Sequence, residues 1–163
     1  MVDGCEAIIR SVSEHDKPEG EHPPASLQDL KVCDALAIGS PSYFGGPAAP
    51  VKAFIDSTTP LWMNGNLSGK PACAFSSSSS MHGGQEIVLL SLLVPLMHHG
   101  MFIMGLPYTE AALNNTKAGG TPYGPSHFSG HQQNNIDSNE KKLCLSMGKR
   151  LATAAIKLKV PNS

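Results

Sequence analysis

Gly39-Ser-Pro-Ser-Tyr-Phe-Gly-Gly46 follows the apolar run Ala35-Leu-Ala-Ile38 and leads into a pattern with Val51, Phe54 and Ile55 on one helical face. The same succession recurs downstream. Ala72-Cys-Ala-Phe75 opens into Ser76-Ser-Ser-Ser-Ser-Met-His-Gly-Gly-Gln-Glu86, and the apolar stretch Ile87 to Met97 follows. Each is a strand-to-helix junction with a loop of small residues. Ligands of open parallel sheets sit outside the carboxyl ends of the strands, on such loops. Two junctions in succession predict an α/β protein that holds a flat, polar-edged ligand.

The flanking sequence extends the pattern. Ala7-Ile-Ile-Arg-Ser-Val12 reads as a strand and Leu27-Gln-Asp-Leu30 as a short ordered segment, with a polar loop over Ser13 to Pro24 between them. Pro47 and Pro50 suit the first turn of a helix, where a missing N–H costs little. A helix over Gln85 to Met97 is expected to end between Pro95 and Gly100, with a strand at Met101-Phe-Ile-Met104. Leu113 to Gln133, rich in Gly, Pro, Asn, Ser and His, reads as a long irregular loop, functional or disordered rather than an idle connection. Asp137-Ser-Asn-Glu140 resembles a capping box, and Leu143, Met147, Leu151, Ala154, Ala155 and Leu158 form a stripe at helical spacing. Alternating strands and helices argue for βα units and a mostly parallel sheet.

The chain has 163 residues, 40% of them hydrophobic and 15% charged, which suits one globular domain. A formal net charge of -1 gives no electrostatic reason to expect a nucleic acid or an anionic membrane as partner. The charged start Met1-Val-Asp-Gly-Cys-Glu6 does not read as a signal peptide, and no stretch is long enough to span a bilayer, which points to the cytoplasm. Cys5, Cys33, Cys73 and Cys144 form no C-x-x-C pair and read as reduced thiols. No Asp, Glu or His cluster has metal-ligand spacing.

Each candidate motif has a plainer reading beside it. The serine run with His82-Gly-Gly84 suits close backbone approach to a ligand, or an ordinary turn. Tyr43-Phe44 can flank a ring face or pack in the core. Trp62, the only tryptophan, can wall a pocket or cap the core. His98 can face a ligand or cap a helix. A nucleophile elbow is absent, since Phe44 stands where G-x-S-x-G needs glycine. Gly119-Gly-Thr-Pro-Tyr-Gly124 lacks the lysine of a phosphate loop.

Taken in order, these motifs with Ala53-Phe-Ile-Asp56, Leu61-Trp62 and His98-His-Gly100 closely resemble the WrbA family of NAD(P)H:quinone oxidoreductases, from about Val2 to Lys159. The resemblance implies a flavodoxin-like parallel sheet with helices on both faces, in a single domain over residues 1–163. It implies FMN as cofactor, NADH or NADPH as co-substrate, a quinone as acceptor, and a homotetramer with active sites completed by neighbouring subunits. Ser42, Tyr43 and Phe44 match the family's first ring-flanking loop; Ser77, Ser78, Ser79, Ser80, Met81, His82 and Gly83 match the second. His98 matches the flavin-site histidine, Trp62 the pocket-wall tryptophan, and Tyr108 falls near the acceptor site; residues 119–130 are a further contributor.

The family's first βα unit, on the order of 25–30 residues with its phosphate-binding loop, has no counterpart in this sequence. The expectation is a sheet with two unpaired interior edges, or with strands two and three paired across the gap, and a chain that binds FMN poorly. The alternatives carried forward are a one-electron flavodoxin-type carrier and a cofactor-poor scaffold.

Overall fold

The computed structural model describes residues 2–12, 22–130 and 135–159. In chain order the elements are α1 (Leu27–Val32), β1 (Leu36–Tyr43), β2 (Gly46–Pro47), α2 (Ala49–Ser57), α3 (Thr59–Met63), β3 (Pro71–Ser78), α4 (Gln85–His98), β4 (Phe102–Ile103), α5 (Ala111–Asn115), β5 (Ser126–Phe128) and α6 (Ser138–Leu158). Most of the loop expected over Ser13 to Pro24 and the end of that over Leu113 to Gln133 lie outside the described residues.

β3 is the centre of the sheet. β1 runs parallel to it from Leu36 opposite Ala72 to Pro41 opposite Ser77. Its other edge is shared: β4 pairs at Pro71 and Ala72, β5 at Ser76 to Ser78, both parallel. β4 and β5 are thus successive stretches along one edge, separated by the segment that carries α5. That segment was expected to be irregular. Its strand is only three residues long and hidden among turn formers, so no alternation announces it.

β3 is covered on both faces, which explains its continuous apolar and small composition. On one face Ile38, Ala72 and Ala74 pack with Val51 and Ile55 of α2, Leu61 of α3 and the fully buried Val88, Leu89 and Leu92 of α4. On the other, Cys73 packs with Leu106, Leu113, Leu143 and Met147 beneath α5 and α6. Alanines on β3 let α4 approach closely, and each fully buried leucine contributes about 1.5–3 kcal/mol. Pro95 falls in the last turn of α4, so the helix runs on to His98 despite it.

The strand expected at residues 7–12 does not form. Its one ladder contact is a bridge between Ser11 and Pro24, and Ile8 and Ile9 are 63% and 59% exposed. Alternation supplies a face to bury, but a strand also needs a neighbour for its backbone groups. Among the described residues, β1 has no ladder partner opposite β3 from Leu36 to Pro41; β2 pairs it only at Ser42 and Tyr43. Neither expected arrangement, two unpaired interior edges or strands two and three paired across the gap, is seen among the described residues, where the open edge belongs to β1.

Candidate functional site

Three loops converge at the carboxyl ends of β1, β3 and β5. The Ser42 hydroxyl donates to the Gly83 carbonyl, tying the loop after β1 to the loop after β3. Gly84, at φ +84°, lies so close to the first loop that a Cβ there would come 2.7 Å from Gly45 Cα. Only glycine suits both the left-handed backbone and the contact. The third loop joins through Ser129, whose N–H and hydroxyl both donate to the Ser78 carbonyl, at 2.9 and 3.1 Å. Gln85 Nε2 donates to the Ser80 and Met81 carbonyls at 2.9 and 3.2 Å, and the Ser78 hydroxyl also donates to Ser80 O.

With those carbonyls engaged, Ser79, Ser80, Met81 and His82 face outward, Ser77 is half-buried, and the buried Ser76 hydroxyl has no partner among the described residues. Tyr43 is exposed, not packed in the core. Phe44 is fully exposed at φ +52°, a left-handed conformation that costs a non-glycine residue about 1–2 kcal/mol. An aromatic ring held into solvent from strained backbone beside a polar loop is arranged for the face of a planar ligand.

Trp62 and His98 do not join these loops within one chain. Trp62 Nε1 donates to the His98 carbonyl at 3.0 Å, at the far end of α4. That helix has fourteen residues and so carries them about 20 Å from Gly84. Gly69 N–H on Gly100 O and Phe102 N–H on Lys70 O fix this end beside the start of β3. There Trp62 and His98 line a cavity of about 320 Å³ with Lys52, Asp56, Thr59 and His99. Tyr108, on the segment after β4, exposes its phenol, while its carbonyl accepts from Asn114 Nδ2 at 3.0 Å.

His99, unlike His98, is buried. The Thr58 hydroxyl donates to Ile55 O at 2.6 Å and has one proton, so at 2.8 Å it accepts from His99 Nε2. Nε2 therefore carries the ring proton, and burial, with the neighbouring His98, pushes the His99 pKa down. The unfolded chain then takes up a proton that the folded one refuses. Stability is expected to be unpenalised above the ordinary histidine range and to fall as pH drops through about 6.5. Denaturant midpoints across that range will show a slope that His99→Gln lessens; an unchanged slope in the variant contradicts it.

The residue not anticipated as part of this architecture is Glu140. Its sequence signal, a capping box, is present: Glu140 accepts from Asp137 N–H at 2.9 Å. The same carboxylate, 1% exposed, also accepts from Gly119 N–H (2.8 Å), Phe128 N–H (2.9 Å) and His127 Nδ1 (2.8 Å). Burial would push its pKa up, but the bonds from Phe128, His127, Asp137 and Gly119 outweigh that and hold it below the usual range. Glu140 thus pins β5, and with it the third loop, to the start of α6.

Residues 6–115 match the family model described as NADPH-dependent FMN reductase. The chain is similar to an NAD(P)H dehydrogenase (quinone) of Geotalea daltonii, 37% identical over 174 residues, covering 96% of this chain and 85% of that protein. A protein of the same name from Solidesulfovibrio magneticus is 36% identical over 140 residues, covering 84% and 69%. Among solved structures, a flavodoxin, WrbA-like protein from Agrobacterium tumefaciens superposes with a TM-score of 0.61 at 23% identity, covering 81% of this chain and 72% of that one. A flavodoxin from the domain Archaea gives 0.54 at 19% identity over the same shares. These two structures show the fold, a flavodoxin-like α/β sheet.

Proposed function

The chain belongs to the NADPH-dependent FMN reductase family, and on that premise we propose that it is an FMN-dependent NAD(P)H:quinone oxidoreductase carrying out two-electron reduction of quinones. The observation that carries this reading is the contact between the two ring-flanking loops, Ser42 on Gly83 and Gly84 against Gly45. When bound, FMN supplies the redox chemistry between nicotinamide and quinone.

The residues fit the ring of that cofactor. With the carbonyls of Ser78, Ser80, Met81 and Gly83 engaged, the loop Ser77, Ser78, Ser79, Ser80, Met81, His82 and Gly83 offers its remaining backbone N–H groups and the exposed Ser79 and Ser80 hydroxyls to a polar edge. The Ser76 hydroxyl at its start is unpartnered. Ser42, Tyr43 and Phe44 line its side. The three loops carry no lysine or arginine, so they suit the neutral ring rather than the phosphate. The chain's own part is to orient the ring and shape a slot for flat partners.

Trp62 and Tyr108 are assigned to the acceptor side, and His98 to the flavin, of a slot completed by another copy. Support comes from the separation of Trp62 and His98 from the loops, and from α4, whose exposed Ile87, Leu90, Val94 and Met97 form an uncharged outward stripe. A helix apolar all round is built to be buried. The assembly is a homotetramer of single flavodoxin-like domains, and four free cysteines fit a cytoplasmic setting; burial pushes the Cys73 thiol up to about 12.

With FMN supplied, oxidation of NADPH or NADH should depend on benzoquinone; bound flavin without quinone-dependent turnover rejects the assignment. Mixing a Trp62→Ala protein with a Gly84→Val protein should give activity well above the sum of the two alone. A mixture that merely adds their residual rates rejects the shared slot.

A further inference from the structure

The net charge of -1 conceals a segregated distribution. Residues 111–163 hold seven of the twelve lysines and arginines and only two of the thirteen acidic residues. Such asymmetry within a chain points to a surface of opposite charge as partner. In the fold this excess concentrates on α6, which carries Lys141, Lys142, Lys149, Arg150 and Lys157. Its one acidic residue, Glu140, is buried and already shared among its hydrogen-bond donors.

The basic groups of α6 differ in their commitments. Arg150 Nε donates to Gly105 O at 3.2 Å, and beyond the helix Lys159 pairs with Asp34 at 2.8 Å. Of the nearby carboxylates, Glu110 accepts from Ser146 and Asp137 caps the helix. Lys141, Lys142, Lys149 and Lys157 have no carboxylate within ion-pair distance among the described residues. Lys142, Leu145, Lys149 and Ile156 follow at steps of three, four and seven, which places them on one outward face. Leu145 and Ile156 are 60% and 45% exposed, so apolar side chains stand between lysines.

We infer that this face of α6 docks the protein on an anionic lipid surface. Lysines supply the attraction to acidic headgroups, and Leu145 and Ile156 supply shallow apolar contact. A nucleic-acid face would instead present arginines or aromatics to bases, and the only arginine of α6 is turned to Gly105. Among the described residues up to 110, seven acidic stand against four basic residues, which repels that part of the molecule from the same surface and favours α6 facing it. α6 lies across the sheet from α4, so docking leaves the α4 stripe free. Resting on the proposed quinone activity, the consequence is that the enzyme works where apolar acceptors dissolve; the docking itself does not depend on that reading.

Flotation of the full chain with phosphatidylcholine vesicles holding about 30 mol% phosphatidylglycerol tests this at low salt. Binding is expected to these vesicles, not to phosphatidylcholine alone, and to vanish near ~0.5 M salt. Lys142→Glu with Lys149→Glu should lower partition at least about 25-fold, roughly fivefold for each charge. Leu145→Ser with Ile156→Ser should lower it severalfold while keeping the salt dependence. Quinone turnover without vesicles should be unchanged in both variants, which separates lost docking from lost folding or lost chemistry. The inference is overturned if the charge-reversed protein partitions within about twofold of the parent. Tighter binding to duplex DNA than to the vesicles, at matched phosphate concentration, overturns it equally.

Discussion

Glu140→Gln should destabilise the protein by about 3–5 kcal/mol, the cost of breaking a buried ionic network on one side. The carboxylate satisfies Gly119, Phe128 and Asp137 N–H groups and His127 Nδ1 at 2.8–2.9 Å. Glutamine keeps one acceptor oxygen and sets an amide N–H₂ against groups that already donate, leaving buried donors unpaired. For a chain of this size the melting temperature should fall on the order of 10 °C. Asp137→Ala, which removes only the exposed cap on Asn139 N–H, should cost about 1 kcal/mol. Hydrogen exchange should rise first at Gly119 and Phe128, whose amides the carboxylate holds. The lowered pKa adds a pH signature. The contribution of Glu140 is fully present above the ordinary glutamate range and is lost as pH falls through its depressed folded value, a slope that Glu140→Gln lacks. A Glu140→Gln protein within about 1 kcal/mol of the parent would show that β5 is held by its ladder to β3 alone.

How much of this was legible in the sequence depends on where the signal is local. β1 and β3 were readable because each holds a short apolar run ended by glycine or serine, α4 because its apolar run is long and stops before Gly100, and α6 because its cap and stripe both fall within one helix. β5 was not, since its pairing with Ser76 to Ser78 comes from a segment far along the chain and from Glu140, which looked like a cap and nothing more. Residues 7–12 misled for the converse reason: their pattern is local and their missing ladder is not. The loop pair at Ser42 and Gly83 was legible as two junctions, but its contact was not. Trp62 and His98 were legible as motifs, but motif order along a chain says nothing of which end of α4 a residue occupies, and within one chain the two meet at the end away from the loops. Net charge hid the asymmetry that the fold gathers on one helix.

The contact at Gly84 carries the second large effect. A valine there must adopt φ +84°, where a β-branched residue is an outlier, and its Cβ would sit 2.7 Å from the Gly45 Cα. That neighbour is backbone, so no side chain can swing away; the loops after β1 and β3 must part. Parting them breaks the hydrogen bond from Ser42 to Gly83 and moves Tyr43 and Phe44 away from the serine run. That loses about two ring contacts at roughly 1–1.5 kcal/mol each, so FMN affinity measured by flavin fluorescence should fall on the order of 100-fold. Strain alone would lower stability without touching the cofactor, so a second substitution separates the two causes. Gly65 also has a positive φ, +63°, but open space around its Cβ position, and it lies three residues beyond Trp62 at the other end of α4. Gly65→Val should therefore unfold more readily yet bind FMN within about twofold of the parent at temperatures where it stays folded. If Gly84→Val also keeps FMN within about threefold, the two loops do not share one ring and the proposed cofactor site loses its foundation.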